Sequence, residues 1–367
     1  MERRGAATRG DVRAGGRVKR PAVARGWRLL LVIPVLAAAV AVIVVRGPKW
    51  SDVHDAFTVV RWRWIWAAVG LNLLSVVTRA VAWHTAIKQA MPPPHPRFRL
   101  VFSAFCVGLF GNAVLPGRVG ELARVAVLTR RMPGREGAGV TLIGSVFAHR
   151  VFDLFPALTL VVWVLLVARV PHWAITSLVV VIGIGLALFA FALMTARRHH
   201  EGVDGLGTVR TLITRARAGL AVMRAPVPAA IAATFQFVGW GCQLLAVYTA
   251  MRAFHIHEPL AAAGLVLVLM NIATVFPLWP GNIGLVQAAV ALPLVSYGVA
   301  YARGFAFGIG LQAIEASVGV GVGLLFLARE GLSYAMLKEI PEATETDVGP
   351  VGASADERER ARSRVAG

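Results

Sequence analysis

The chain alternates long apolar blocks with short polar ones, and the apolar blocks are too long for strands and too continuous for helices with one solvated face. Residues 29–45 carry no charge over seventeen positions, near the lower limit for crossing a hydrocarbon core of about 30 Å. Trp62, Trp64 and Trp66 mark an interfacial belt that opens a second block, 64–87. Further crossings are predicted over 138–168, 173–196, 225–251 and 304–328, with charged loops at 46–63, 88–99 and 197–224. The pattern predicts an all-α polytopic membrane protein.

Two blocks do not fit a plain crossing. After the apolar run 101–115 come Pro116 and Gly117, which break a helix. Arg118, Glu121 and Arg124 then follow at steps of three on the next helix, with Asn112 one turn upstream and Gly120 among them. A full crossing over 101–115 would place the arginine-rich stretch 118–135 outside, against the bias of basic residues toward the cytoplasm. A re-entrant hairpin over 98–130 avoids that, and irregular backbone at such depth requires a protein lining or a cavity. The second block, 259–302, has forty-four residues without a formal charge, interrupted by Pro277, Pro280 and Gly281. It is either two spans or a second hairpin over 260–300.

The two blocks echo each other. Residues 116–120 read P-G-R-V-G and 280–284 read P-G-N-I-G, while Asp153 lies thirty-seven residues after Pro116 and Glu315 thirty-five after Pro280. Two similar halves are implied, and the crossings between them invert the second relative to the first. The expected architecture is about six full spans plus two re-entrant hairpins in an inverted repeat, or eight or more passes. Gly/Pro-interrupted apolar segments in corresponding positions point to a transporter-like binding site.

Composition agrees with the pattern. Hydrophobic residues make up 57% of the chain and charged residues 16%, with a mean hydropathy of +0.67, values that a soluble globular chain does not reach. A net charge of +19 raises nucleic acid as a partner, but the arginines cluster at the ends of apolar runs and in residues 1–28. That distribution suits cytoplasmic loops and anionic lipid instead, so no nucleic-acid partner is expected. Residues 1–28 are expected to form a basic, disordered cytoplasmic tail, 29–328 the transmembrane domain, and 329–367 a polar, disordered cytoplasmic tail, in a multi-pass protein of the cell membrane. No small-x-small cleavage site precedes Arg46, which favours a retained span at 29–45 over a signal peptide. Cys106 and Cys242 sit inside apolar runs and read as small buried hydrophobes.

The candidate chemistry is electrostatic. Arg118, Arg124 and Arg150 are placed to hold a phosphate, aided by the helix N-terminus that Pro116, Gly117 and Gly120 expose. Glu121, Asp153 and Glu315 are placed to hold a cationic headgroup or accept a coupling proton. Asn112, His149, Asn271, Asn282, Gln287 and Gln312 complete the polar lining, with Pro280 and Gly281 shaping the second turn. The plainer alternative is internal pairing: Arg118 with Glu121, Arg150 with Asp153, and Glu315 with Gln312 or Arg150. Arg79, inside 64–87, is equally a functional residue or one that snorkels to the interface. His255 and His257 lack a third ligand nearby, and no H-E-x-x-H, acidic D-x-D or P-loop is present, so neither metal nor other cofactor is expected.

At P-G-R-V-G-E-L-A-R (116–124), H-R-V-F-D (149–153) and F-P-L-W-P-G-N-I-G (276–284), the chain resembles the lysylphosphatidylglycerol synthase transmembrane family, over about residues 27–330. This is the flippase-like region of multiple peptide resistance factors, which also occurs as stand-alone membrane proteins. In full-length synthases a cytoplasmic aminoacyl-transferase domain follows, whereas this chain ends about forty residues after its last span. The resemblance therefore implies a flippase-like role and not an enzyme of lysyl transfer. The expected partners are membrane lipids (an anionic or aminoacylated phospholipid, or a polyprenyl-linked lipid), with a homo-oligomer or a lipid-modifying enzyme as further partners. Two other functions compete: an accessory scaffold for a lipid-modifying or glycosyl-transferring enzyme, and a membrane enzyme acting on a lipid-linked substrate.

Overall fold

The computed structural model describes residues 48–114, 119–132, 138–176, 221–274 and 282–329, together with positions 179, 180, 183 and 187. The crossing expected at 29–45, most of that at 173–196, nearly all of both expected tails, and Pro116, Gly117, Arg118, Pro280 and Gly281 lie outside the described residues. By contacts the chain divides after Gly47, and every described residue belongs to the second unit.

Among the described residues the regular elements are all helices: α1 (Trp50–Thr58), α2 (Trp62–Ala90), α3 (Phe98–Val114), α4 (Gly120–Arg130), α5 (Ala138–Val167), α6 (Pro226–Ala253), α7 (Leu260–Ala273), α8 (Leu285–Val295) and α9 (Tyr301–Arg329). Four of them, α2, α5, α6 and α9, are long and apolar enough to cross a membrane. The protein is a multi-pass membrane protein, and the outer face of α5 suits lipid: Phe147, Leu154, Phe155, Leu158, Val162 and Leu166 are all exposed. The helix limits follow local chemistry. Pro226 sits in the first turn of α6, where a missing N–H costs nothing. At the other end of α6 the Ile256 N–H turns back to the Met251 carbonyl at 3.0 Å.

The order α2–α5 is repeated by α6–α9, with helix lengths of 29, 17, 11 and 30 residues against 28, 14, 11 and 29. The first members, α2 and α6, form the largest helix interface and run antiparallel: the Arg61 N–H bonds the Ala253 carbonyl at 3.0 Å at one end, and Ala86 clusters with Val222 and Ala232 at the other. Within the first half α3 and α4 also run antiparallel, with Gly108 against Arg124 and Gly111 against Gly120. Their approach is backbone to backbone, since a Cβ on Gly120 would meet the Asn112 backbone nitrogen at 2.7 Å. Each helix pair reaches over to the other half. Phe102 of α3 stacks edge-on with Phe326 of α9, at 5.4 Å between ring centroids, and Gly264 of α7 lies against Trp163 and Val164 of α5.

Two core clusters result. One gathers α6–α9 with the end of α5, the other α2–α4 with the last turns of α9. Cys106 and Cys242 are buried free thiols within this packing, in line with their apolar surroundings in the sequence. The glycines of α9 divide: Gly308, Gly310 and Gly323 lie against neighbouring chain, whereas Gly319 and Gly321, also expected to pack, face open space. A π-helical stretch, Ser317–Val322, adds a residue to that turn and swings them outward.

Candidate functional site

The polar residues of α5 share one face. Ser145, His149 and Asp153 recur every fourth position, and each meets a neighbour from α2 or α6. Trp83 Nε1 donates to Ser145 Oγ at 3.2 Å, and Trp240 Nε1 donates to Asp153 Oδ1 at 3.0 Å. Gln236 Nε2 donates to the His149 carbonyl at 3.3 Å, while the imidazole lies edge-on to Phe105. His149 and Asp153 are thus fixed in the interior by donors from α2 and α6.

Around this face the charges of the first half converge. Glu121 of α4 pairs with both Arg124 and Arg150, and Arg150 Nη1 donates to Asp153 Oδ2 at 3.1 Å. Arg124 is only 4% exposed and lies over the rings of Trp83 at 4.6 Å and Phe105 at 5.5 Å, which replace water around the guanidinium. The Arg150 side chain is 45% exposed and is the open edge of the cluster. The partners of Glu121 in the structure are therefore Arg124 and Arg150, while Arg118, its expected partner, lies outside the described residues. Asn112 caps the start of α4, where its Oδ1 accepts from the Gly120 N–H at 3.0 Å and satisfies one orphan donor.

A second cluster joins the halves. Arg79 Nη2 donates to Gln243 Oε1 at 2.8 Å, and its guanidinium lies 5.1 Å from the centre of the Trp240 ring whose N–H holds Asp153. Gln243 also hydrogen-bonds Glu315, and Arg79 is within electrostatic reach of both Asp153 and Glu315. Glu315, expected to bond Gln312 or Arg150, is thus tied to Gln243 and Arg79. Gln312 is bonded by Gln287, whose own Oε1 accepts from the Gly284 N–H at 2.5 Å. Asn282, with φ of 44°, donates to the Ala273 carbonyl at 2.8 Å and closes the second connection, and Asn271 bonds within α7 to the Leu267 carbonyl.

The connected groups comprise three guanidiniums (Arg79, Arg124, Arg150) and three carboxylates (Glu121, Asp153, Glu315), bridged by Trp240 and Gln243. Balanced charge is what a hydrocarbon interior demands, because an unpaired ion there is costly. Among the described residues Arg79 Nε, Arg124 Nε and Gln236 Oε1 are buried without a hydrogen-bond partner. Arg79, Gln236, Trp240 and Gln243 were not among the residues expected from sequence to line the site. Their signal was present: Gln236, Trp240 and Gln243 fall at steps of four and three on one face of α6, and Arg79 stands as far into α2 as Gln243 stands into α6.

Among the described residues no group of three or more His, Cys, Asp or Glu gathers as a metal site. No curated protein and no solved structure matches the chain. The family described as Lysylphosphatidylglycerol synthase TM region matches residues 27–323, well over half of the chain and the whole of its described helical region but for the last turns of α9, and this protein belongs to that family.

Proposed function

We propose that the protein translocates a phospholipid or a lipid-linked headgroup between the two leaflets of the cell membrane, as a carrier and not as an enzyme. The observation that carries this reading is the charge-balanced network linking Glu121, Arg150, Asp153, Arg79 and Glu315 across both halves of a membrane-spanning bundle. A headgroup phosphate takes the place of a carboxylate on Arg150, the exposed edge, and a headgroup amine engages the carboxylate so released. A zwitterionic or aminoacylated phospholipid is matched on both charges by this exchange, and the network stays neutral throughout.

The hairpins supply the route. Helices α7 and α8, of 14 and 11 residues, span about 21 and 16 Å at 1.5 Å per residue, less than a bilayer core of about 30 Å. We therefore read α3–α4 and α7–α8 as re-entrant hairpins entering from opposite sides, with the antiparallel α2–α6 pair supporting inversion of the repeat. Both termini are then cytoplasmic.

The test is headgroup-labelled lipid scrambling in liposomes, comparing wild type with Glu315→Gln and Arg79→Gln over a panel of anionic, zwitterionic and aminoacylated lipids. Movement of one lipid class in wild type, lost by tenfold or more in both variants with folding intact, is the expected result. Movement unaffected by either substitution would remove the network from the route. No movement of any lipid would leave the scaffold reading in its place.

A further inference from the structure

At the end of the α2–α6 pair marked by Arg61 and Ala253, far from the charge network, Arg61, Trp64, Tyr248, Arg252 and His257 line a cavity of about 320 Å³. Trp64 and Arg79 are fifteen residues apart on α2, which is about 22 Å of helix. The lining holds two guanidiniums and an imidazole and no carboxylate. Its walls are built: the Arg61 N–H bonds the Ala253 carbonyl at 3.0 Å, and Arg252 bonds the Tyr248 hydroxyl with its guanidinium 4.9 Å from that ring's centre. His257 Nδ1 is 3.1 Å from the His255 carbonyl, an acceptor only, so Nδ1 carries a proton and Nε2 is the ring nitrogen left for a ligand.

The level of the cavity in the membrane is set by its neighbours. Trp62 and Trp66, one turn either side of Trp64, are 68% and 70% exposed. Indoles that face outward at the end of a spanning helix sit at the headgroup layer. Two arginine forks and a tyrosine at that level match the oxygens of a phosphate, for which guanidinium is the preferred bidentate partner.

We propose that this cavity is a binding site for the phosphate of an anionic phospholipid headgroup, a docking station separate from the central network. It rests on the translocation reading only for where the lipid goes next, since binding itself needs no movement. Trp64 and Tyr248 flank the glycerol end, and Arg61 and Arg252 converge on the phosphate.

The experiment is calorimetric titration of the purified full chain in detergent with dihexanoyl phosphatidylglycerol, dihexanoyl phosphatidylcholine and inorganic phosphate. Wild type should bind the phosphatidylglycerol more tightly than either other probe. The double substitution Arg61→Gln, Arg252→Gln should weaken it tenfold or more. Arg61→Gln alone, which keeps the backbone link to Ala253, should weaken it about threefold, and Arg61→Lys less. Arg303→Gln, at an exposed arginine outside the cavity, controls for general loss of positive charge and should leave affinity unchanged. Equal affinity in wild type and the double variant overturns the proposal, as does an equal loss in Arg303→Gln. Inorganic phosphate binding as tightly as the lipid overturns the headgroup assignment. Intact phosphatidylglycerol binding in a protein that scrambles no lipid would sink the translocation reading and leave this site standing.

Discussion

The two halves of the bundle have similar helices and different chemistry. In the first, the short helix α4 brings Glu121 and Arg124 to the long helix α5, where Arg150 and Asp153 complete a chain of ion pairs. In the second, α8 brings Gln287 to α9, where its partner is Gln312, and the turn is held by Asn282. Amides stand where charges stood. Both long helices are nonetheless irregular just past their carboxylate: α5 carries Pro156 three residues after Asp153, and α9 begins its π stretch two residues after Glu315. Irregular turns of both kinds bend helices or re-aim side chains. The shared feature is a carboxylate beside a weakened turn; the difference is that only the first half surrounds its carboxylate with cations of its own. Glu315 borrows its cation, Arg79, from the other half.

That sharing makes Arg79 the strongest place to break the comparison. Arg79→Leu leaves Asp153 and Glu315 without their common cation, and removing one partner of a buried pair costs about 3–5 kcal/mol. The expected outcome is a large fall in thermal midpoint in detergent, partly restored by adding Glu315→Gln, which removes the carboxylate with no cation in its own half. Restoration by Asp153→Asn instead would mean that the first half depends on Arg79 more than Arg150 suggests. A variant as stable as wild type would remove Arg79 from the hub.

The next comparison sets the pairs against the amides. Glu121→Gln takes the charged partner from Arg124, which is 4% exposed, and should cost about 3 kcal/mol or slightly less because Arg150 also loses an exposed contact. Gln287→Ala removes one side-chain acceptor from the Gly284 N–H and one donor to Gln312, about 1–2 kcal/mol together. Denaturation in mixed micelles should therefore rank Glu121→Gln as the more damaging. The reverse order would show that the amide half, not the ionic half, sets the stability of the bundle.

Much of this was readable from the residues. The helices α3 and α4 fall at 98–114 and 120–130, against a sequence expectation of 98–115 and 119–130, because Pro and Gly act locally on the backbone. The Arg150–Asp153 pair was legible for the same reason, since three residues on a helix share a face. Arg79 was not, because its partner Gln243 is 164 residues away and only packing of α2 on α6 brings them together. Snorkelling and function therefore stayed balanced for it in the sequence. The glycines of α9 misled in part: their number signals close packing, but the π stretch decides which of them face a neighbour, and hydrogen-bond register inside a helix leaves no composition signal.

The smallest effect tests that last point and the hairpin together. A Cβ on Gly120 would meet Asn112 Oδ1 at 2.6 Å and the Asn112 backbone nitrogen at 2.7 Å, so α4 must retreat from α3 and the bond from Gly120 to Asn112 is lost with it. Overpacking of this kind costs about 1–3 kcal/mol. Gly319 has nothing within 4 Å of its would-be Cβ. Gly319→Ala should therefore change stability by less than about 1 kcal/mol, in the stabilising direction that alanine's helix preference gives. Thermal melts of the two variants should separate clearly. If Gly319→Ala destabilises as much as Gly120→Ala, then the open face of α9 is covered in the membrane, by lipid headgroup or by a second copy of the chain, and crosslinking at position 319 would tell which.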